Sequence, residues 1–494
     1  MSEKLPLEKK KQTGDQKVDG LAPKLFKNWK TLDFKNCIEQ SPGIKCKLKK
    51  TKIKNSGKVP VIDQGENFIA GYTDDKATIY NCSLPIIIFG DHTRHIKFVD
   101  IEFAVGADGT KIIKPKQYYD IRFFYHYLNS LNWQHCGYGR HYKYLKQLEV
   151  PLPPINEQKR IAAKLYQIMP KIDGVKERLE RIPQIIKHFR QSVLNAAVTG
   201  KLTEKWREDH PEVESAELLL HHIVEERKKM KRKTEQKYSF KVADEIDNRF
   251  IDIDTPPTWI KTNVDLVSIF IVDCPHSTPK WTKSGKICLR TTNFLPNKLD
   301  ISEIRYVSTE TFNKRIERLK PEKGDILYSR EGGILGIACI LDIDDEICLG
   351  QRMMIFRTSK YILNKYFSYY LNSPPILRHL NNLIGGSASP HINIRDIKKY
   401  PFPLPPFEEQ KEIVRQVDKL FAYADKLEEH YQKANEKVVK FPQSVIAKAF
   451  RGELVPQDPN DEPAEKLLER IKEEKTRLEA DMKKTRKKTT RKKK

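Results

Sequence analysis

No stretch of the sequence approaches about 18 consecutive apolar residues, and the opening MSEKLPLEKKKQTG has no hydrophobic segment of the kind a signal peptide needs. These two absences argue against a membrane association and predict a cytoplasmic protein. The eight cysteines (Cys37, Cys46, Cys82, Cys136, Cys274, Cys288, Cys339 and Cys348) include no C-x-x-C pair, which removes the usual zinc-ribbon and thioredoxin readings and leaves reduced, partly buried thiols. There is no G-x-x-x-x-G-K-[ST] phosphate loop and no G-x-G-x-x-G fingerprint. Ser373-Pro374-Pro375-Ile376 has the outline of an amino-methyltransferase loop, yet Ile376 stands where an aromatic ring would stack a flipped base. It reads as a helix-terminating turn, and Glu331-Gly332-Gly333-Ile334-Leu335-Gly336 as a tight turn between strands. The expectation is a chain with no catalytic residue, no metal and no cofactor of its own.

What the sequence has in excess is positive charge. The formal net charge is +25, of which nine charges lie in the last twelve residues, KKTRKKTTRKKK, leaving +16 on the rest. A basic folded body favours a polyanion through counterion release, with nucleic acid as the first candidate, and the tail reads as a solvated basic arm. At 494 residues the chain is longer than one hydrophobic core usually supports, so two to four domains are expected.

The chain repeats itself. LPPINEQKRI at Leu152 to Ile161 matches LPPFEEQKEI at Leu404 to Ile413, and QSVLNAAVTGKL at Gln191 to Leu202 matches QSVIAKAFRGEL at Gln443 to Leu454, both at an offset of 252. Loops tolerate insertions, so equal spacing between matched blocks predicts a helix used as a ruler. Steps of four and three support it. In the first copy they give Ile161, Leu165, Ile168, Ile172, Val175, Leu179, Ile182, Ile186 and Phe189. In the second they give Ile413, Val417, Leu420, Ala424, Leu427, Tyr431, Ala434, Val438 and Phe441. All are apolar or aromatic, the pattern of a coiled-coil seam, and two such helices about 40 to 50 Å long should pack against each other. Pro170, Gly174 and Pro183 should bend or interrupt the first helix. Beyond turns at Gly200 and Gly452, VESAELLLHHIVEERKK and DEPAEKLLERIKEEK read as shorter charged helices at an offset of 248.

Before each repeated block lies a segment rich in β-branched and aromatic residues, broken by Gly, Pro, Asn and Asp, with runs such as LPIIIFG and KICLRTT. Both segments open near a tryptophan, Trp29 or Trp259, and otherwise differ. The fold class is therefore α+β: two divergent sheet-containing heads on two near-identical helical supports that pair as an antiparallel coiled coil with pseudo-two-fold symmetry.

Taken in duplicate, LPPxxEQ and QSVxxxAxxG, together with CPHSTPKWTKSGKICLRTTNF, make the chain similar to the specificity subunits of type I restriction-modification systems. The resemblance covers Trp29 to about residue 480. It implies a basic arm at 1–28, a first target recognition domain at 29–150, a helical conserved region at 151–250, a second recognition domain at 251–403, a second helical region at 404–480 and a basic tail at 481–494. Each recognition domain would read one half of a bipartite double-stranded DNA site across an unread gap of fixed length. The resemblance also implies two modification subunits that bind S-adenosylmethionine and methylate adenine, and restriction subunits that use ATP and Mg to cut DNA.

Polar residues bordering predicted strands are the candidates for DNA contact, because base edges and phosphates are met by Arg, Lys, Asn, Gln, Ser, Thr and His donors. In the first head these are Lys58, Gln64, His92, Arg94, Lys97, Tyr138, Arg140, His141 and Tyr142. In the second they are Ser277, Thr278, Lys280, Trp281, Arg290, Thr292, Asn293, Ser329, Arg330, Arg352, Ser387, Ser389 and His391. Two other readings stand beside this one: a coiled-coil scaffold with uniform affinity for DNA, and a stand-alone methyltransferase, which lacks the motifs it needs.

Overall fold

The computed structural model describes residues 28–40, 47–106, 109–133, 139–234, 253–384, 391–474 and 476–477. The expected basic tail and all but the last residue of the basic arm lie outside them. Two compact units divide the chain: Met1–Glu180 with Lys433–Lys494, and Arg181–Gln432. The division falls inside two long helices, Ile155–Val198 and Phe407–Phe450, each of 44 residues. Their starts and ends are both 252 residues apart, so the constant spacing holds for the whole element. At 1.5 Å per residue each is about 66 Å long, more than the 40 to 50 Å read from the seam, because helix continues beyond both ends of the 4/3 pattern.

The first helix runs unbroken through Pro170, Gly174 and Pro183, against the expected interruption. A proline's fixed φ is itself helical, and its cost is a missing donor and a crowded carbonyl one turn back. Both prolines are exposed, where water can meet that carbonyl. The second helix likewise carries Pro442.

In the first unit, Ile161, Leu165 and Ile172 share a core with Val445, Ala449 and Phe450. In the second, Val193, Leu194, Ala197 and Val198 share one with Ile413 and Val417. The start of each helix thus lies with the end of the other, the antiparallel partnership expected. Arg190 adds ion pairs to Asp425 (2.6 Å) and Glu428 (3.1 Å). The seam itself needs correction. Ile186 and Ala424 are buried, and Ile168, Leu179, Ile182, Leu420, Tyr431, Ala434 and Val438 are half-buried. Val175, Phe189, Leu427 and Phe441 are exposed. A pair of helices without further layers covers only a narrow stripe, and a 3.6-residue turn drifts from a 3.5-residue repeat, so alternate positions of the pattern rotate out of it.

Each head opens and closes on the same device. Strand Lys30–Asp33 pairs antiparallel with Glu149–Leu152, and strand Ile260–Asn263 with Pro401–Leu404. The first head adds two three-stranded sheets, one of Gly71–Thr73, Val59–Ile62 and Ala104–Val105, the other of Ile96–Val99, Ile86–Gly90 and Thr110–Ile113. Ile86–Gly90, from the LPIIIFG run, is buried along its whole length, which is why it shows no alternation. The second head carries two four-stranded sheets, one built on Met353–Thr358 and Ile326–Ser329, the other on Lys286–Leu289 paired in parallel with Ile347–Leu349. Cys37, Cys274, Cys288, Cys339 and Cys348 are buried free thiols. Ser373 stands in the turn between helix Asn364–Leu371, capped by Asn372, and helix Pro374–Ile384, where the sequence suggested a helix-terminating turn.

The repeated Glu-Gln of LPPxxEQ fastens each head to its helix. Trp29 Nε1 donates to Glu157 Oε2 (3.1 Å) and Trp259 Nε1 to Glu409 Oε2 (2.8 Å). Gln158 takes the Asp120 amide (2.9 Å) and donates to the Tyr118 and Pro153 carbonyls. Gln410 takes the Leu363 amide (2.9 Å) and donates to those of Tyr361 and Pro405. All four side chains are fully buried.

The two carboxylates differ in what balances them. Glu409 accepts from Arg207 at 3.0 and 2.8 Å and from the Thr203 hydroxyl at 2.7 Å. Glu157 has the neutral Gln457 amide in that place, and burial holds its carboxyl above the usual range. Gly200 and Gly452 end the helices at φ 72° and 76°, and a Cβ on Gly200 would stand 2.4 Å from Pro256.

Glu409→Gln should destabilise the second unit by about 2 kcal/mol in urea unfolding, since it strips the half-buried Arg207 guanidinium of its charged hydrogen-bond partner. For Glu157 the neutral form is favoured on folding. Its contribution is present below the ordinary carboxyl value of 4.5 and is lost as pH rises through the raised one. Glu157→Gln should remove that fall in first-unit stability from a pH series of unfolding curves.

Candidate nucleic-acid interface

In the first head the loops after several strands meet around Asp91, which is buried. Its carbonyl accepts the His141 amide (2.7 Å), with His141 Nδ1 at 2.9 Å, its carboxylate accepts the Tyr142 amide (2.8 Å), and Lys111 stands 3.7 Å away. Its own amide donates to Gly109 (2.8 Å). Buried Lys97 draws in a further loop through the carbonyls of Asp63 (2.9 Å) and Asn67 (2.6 Å), and burial lowers its pKa. Gln64 accepts the His92 amide at 3.2 Å, and Arg94 donates to the Trp133 carbonyl at 3.1 Å. Residues 63–67, 90–95, 109–111, 133 and 139–142 therefore form one loop cluster.

In the second head two buried arginines do the gathering. Arg315 donates to the carbonyls of Leu349 (3.1 Å), Gly350 (2.7 Å) and Pro275 (3.5 Å), and to that of Ser277. Arg330 donates to the Ile392 carbonyl (3.1 Å), pairs with Glu331 (2.8 Å) and Asp273 (3.7 Å), and sends its amide to the Arg352 carbonyl (3.0 Å). Glu331 and His391 form a β-bridge, and the Thr278 hydroxyl donates to Gln351 (3.0 Å). The Gly350 amide donates to Leu289, the residue before Arg290 (2.9 Å). A guanidinium supplies five donors in a plane, so one buried arginine can tie several loops whose carbonyls have no ladder partner.

These clusters sort the candidates from the sequence. Arg94, Arg140, Ser277, Thr278, Lys280, Thr292, Arg352 and His391 are exposed; Gln64, His92, Tyr142, Trp281 and Arg290 are half-buried. Arg305 lies over the Trp281 ring at 5.3 Å, and Lys146 over that of Tyr142 at 5.3 Å. Lys97, His141, Asn293, Ser329 and Arg330 are corrected from contacts to braces, because each is buried and hydrogen-bonded to protein. Asn293, for example, holds the Arg290 amide (2.8 Å) and the Asp300 and Glu303 carbonyls (both 2.9 Å), and Ser329 exchanges bonds with Ile337. Lys58 is exposed but precedes strand Val59–Ile62, whereas Gln64 follows it, so it is not brought to the cluster. Tyr138, Ser387 and Ser389 lie outside the described residues. Asp91 and Arg315 were missed; nothing in FGDHT or RIERLKP separates a buried brace from a surface charge.

Each of the two units thus carries one sheet-containing head with its own loop cluster. The sequence profile of the type I restriction modification DNA specificity domain matches residues 28–184 and 265–436, and the chain belongs to that family. Among individual relatives, it is 32% identical to the EcoKI specificity subunit of Escherichia coli K12, over 66% of this chain and 64% of that one, somewhat under two thirds of that relative's length. It is 32% identical to the Escherichia coli EcoBI specificity subunit over 74% of each chain, and 28% identical to that of EcoDI over 92% of this chain and 96% of the relative. The fold is shared with the HsdS subunit from Thermoanaerobacter tengcongensis (TM-score 0.51, 17% identity, 88% of this chain and 99% of that one). It is shared too with a chain solved in a study of type I R-M complex assembly and conformational transition (TM-score 0.53, 15% identity, 87% of this chain and all of that one). No helix among the described residues is long and apolar enough to cross a membrane.

Arg315→Met and Arg330→Met should each destabilise the second unit by about 3 kcal/mol, since several buried acceptors lose their donor. Lys280→Ala and His391→Ala should stay within about 0.5 kcal/mol of the parent. Urea unfolding of the four variants checks the division.

Proposed function

We propose that this chain reads an asymmetric, bipartite sequence in double-stranded DNA, each head taking one half-site, and that it directs methylation and restriction carried out by partner subunits in the cytoplasm. The observation that carries the reading is the duplication itself. Two helices of equal length and equal register bear two heads that keep the fastening residues and differ in their loop clusters. A protein that needed only to hold DNA would have no use for two unlike heads on like supports. The basic body supplies sequence-independent attraction to phosphates, and the exposed loop residues supply base discrimination.

The near-equivalent helical regions would dock two copies of a modification subunit, one per half. S-adenosylmethionine would be bound there, and ATP and Mg on restriction subunits, none of them on this chain. The length of the helices would set the number of unread base pairs between the half-sites.

Selection of duplexes from a random pool, with the full chain and its methylating partner at moderate salt, tests the reading. A two-part motif with a fixed unread gap is expected. Deleting one heptad from both long helices shortens each by about 10 Å and should contract the gap by about three base pairs while leaving both half-sites unchanged. Uniform recovery of unrelated duplexes would favour a scaffold that only holds DNA.

A further inference from the structure

Three non-glycine residues among those described have left-handed backbone: Arg94 (φ 68°), Asn297 (φ 64°) and Arg352 (φ 71°). This region brings Cβ against the backbone, a cost glycine would avoid, so a side chain kept there needs a use. Asn297 has one, since its Oδ1 accepts from Ser368 (2.9 Å) and Asn372 (2.8 Å). Arg94 has one, holding the Trp133 carbonyl. Arg352 is exposed, and its guanidinium makes no hydrogen bond or ion pair with the described residues.

Its backbone is nevertheless held from both sides. The Arg352 carbonyl accepts the amide of buried Arg330 (3.0 Å), Gln351 accepts from Thr278 (3.0 Å), and Gly350 is tied to buried Arg315 (2.7 Å). The guanidinium passes over Gly332, itself at φ 87°, with Nη1 3.1 Å from the place a Cβ would occupy. A side chain at 332 would crowd it.

We propose that Arg352 is the specificity-determining residue of the second head and that it reads a guanine. The proposal rests on the reading of the heads as DNA-binding and adds to it one residue and one base. The planar guanidinium matches guanine O6 and N7 in the major groove with two parallel bonds. That match demands a fixed direction of approach, which a braced, strained backbone supplies. A phosphate contact makes no such demand and is met as well by a lysine on a flexible stem.

Duplex selection with the full chain and its methylating partner, comparing the parent with Arg352→Gly and Arg352→Lys, separates the possibilities. In the parent, one position of the second half-site should favour guanine by about ten- to a hundred-fold. In Arg352→Gly that preference should fall to within about two-fold, the first half-site and the gap should persist, and the melting temperature should hold or rise because glycine accepts the backbone. Arg352→Lys should give an intermediate preference. Guanine selection undiminished in Arg352→Gly would overturn the proposal while leaving the bipartite reading intact. So would loss of the whole second half-site with a lowered melting temperature, which marks a structural residue. A parent that selects no bipartite motif would overturn the DNA-reading function itself.

Discussion

Both units depend on a carboxylate taken out of water at the first turn of a long helix. Glu157 and Glu409 are fully buried, and each is reached by the indole of the tryptophan that opens its head. Leaving such a group unpaired would cost several kcal/mol, so the surrounding chain is organised to satisfy it. The opening strand must pair with the closing one to deliver the indole, and the neighbouring glutamine must cap the inner helix or turn of the head. The segment just past the end of the other long helix must supply the remaining donors, Arg207 for Glu409 and Gln457 for Glu157. One residue pair thereby fixes where a head begins, where it ends and which helix it stands on.

The heads meet a common need with unlike residues. Loops that converge from several strands leave carbonyls and amides with no ladder partner, and a buried polar group has to collect them. Asp91 and Lys97 do this in the first head, Arg315 and Arg330 in the second. A loop cluster braced from below can change its exposed residues at little cost to the fold.

The sequence made the architecture legible because duplication supplies an internal comparison. An offset of 252 at both matched blocks could be met only by an element of fixed length, and the helices of 44 residues answer to it. It hid the partners of the repeated Glu-Gln, since Trp29 lies 128 residues from Glu157 and Trp259 lies 150 from Glu409, distances at which no local pattern survives. Polar stretches bordering strands marked candidate residues without separating the buried ones from the exposed ones, for a single reason. Arg330 and Arg352 have the same donors, and Lys97 and Arg94 the same charge, so burial alone divides braces from exposed side chains. The seam failed at Val175, Phe189, Leu427 and Phe441 because apolar periodicity marks a helix face without saying how much of it a single neighbour covers.

The crosswise sharing of the two helices gives the units different histories during synthesis. Arg181–Gln432 is one uninterrupted stretch, so every residue of the second unit is available once position 432 has left the ribosome. The first unit is split between Met1–Glu180 and Lys433–Lys494. Val445, Ala449, Phe450, Leu467 and Ile471 complete its core, and Gln457 completes the shell of Glu157, 300 residues away along the chain. The first head to be translated is therefore the last to be finished. Closure over such a separation is slow, and it leaves apolar surface uncovered while the rest of the chain is made.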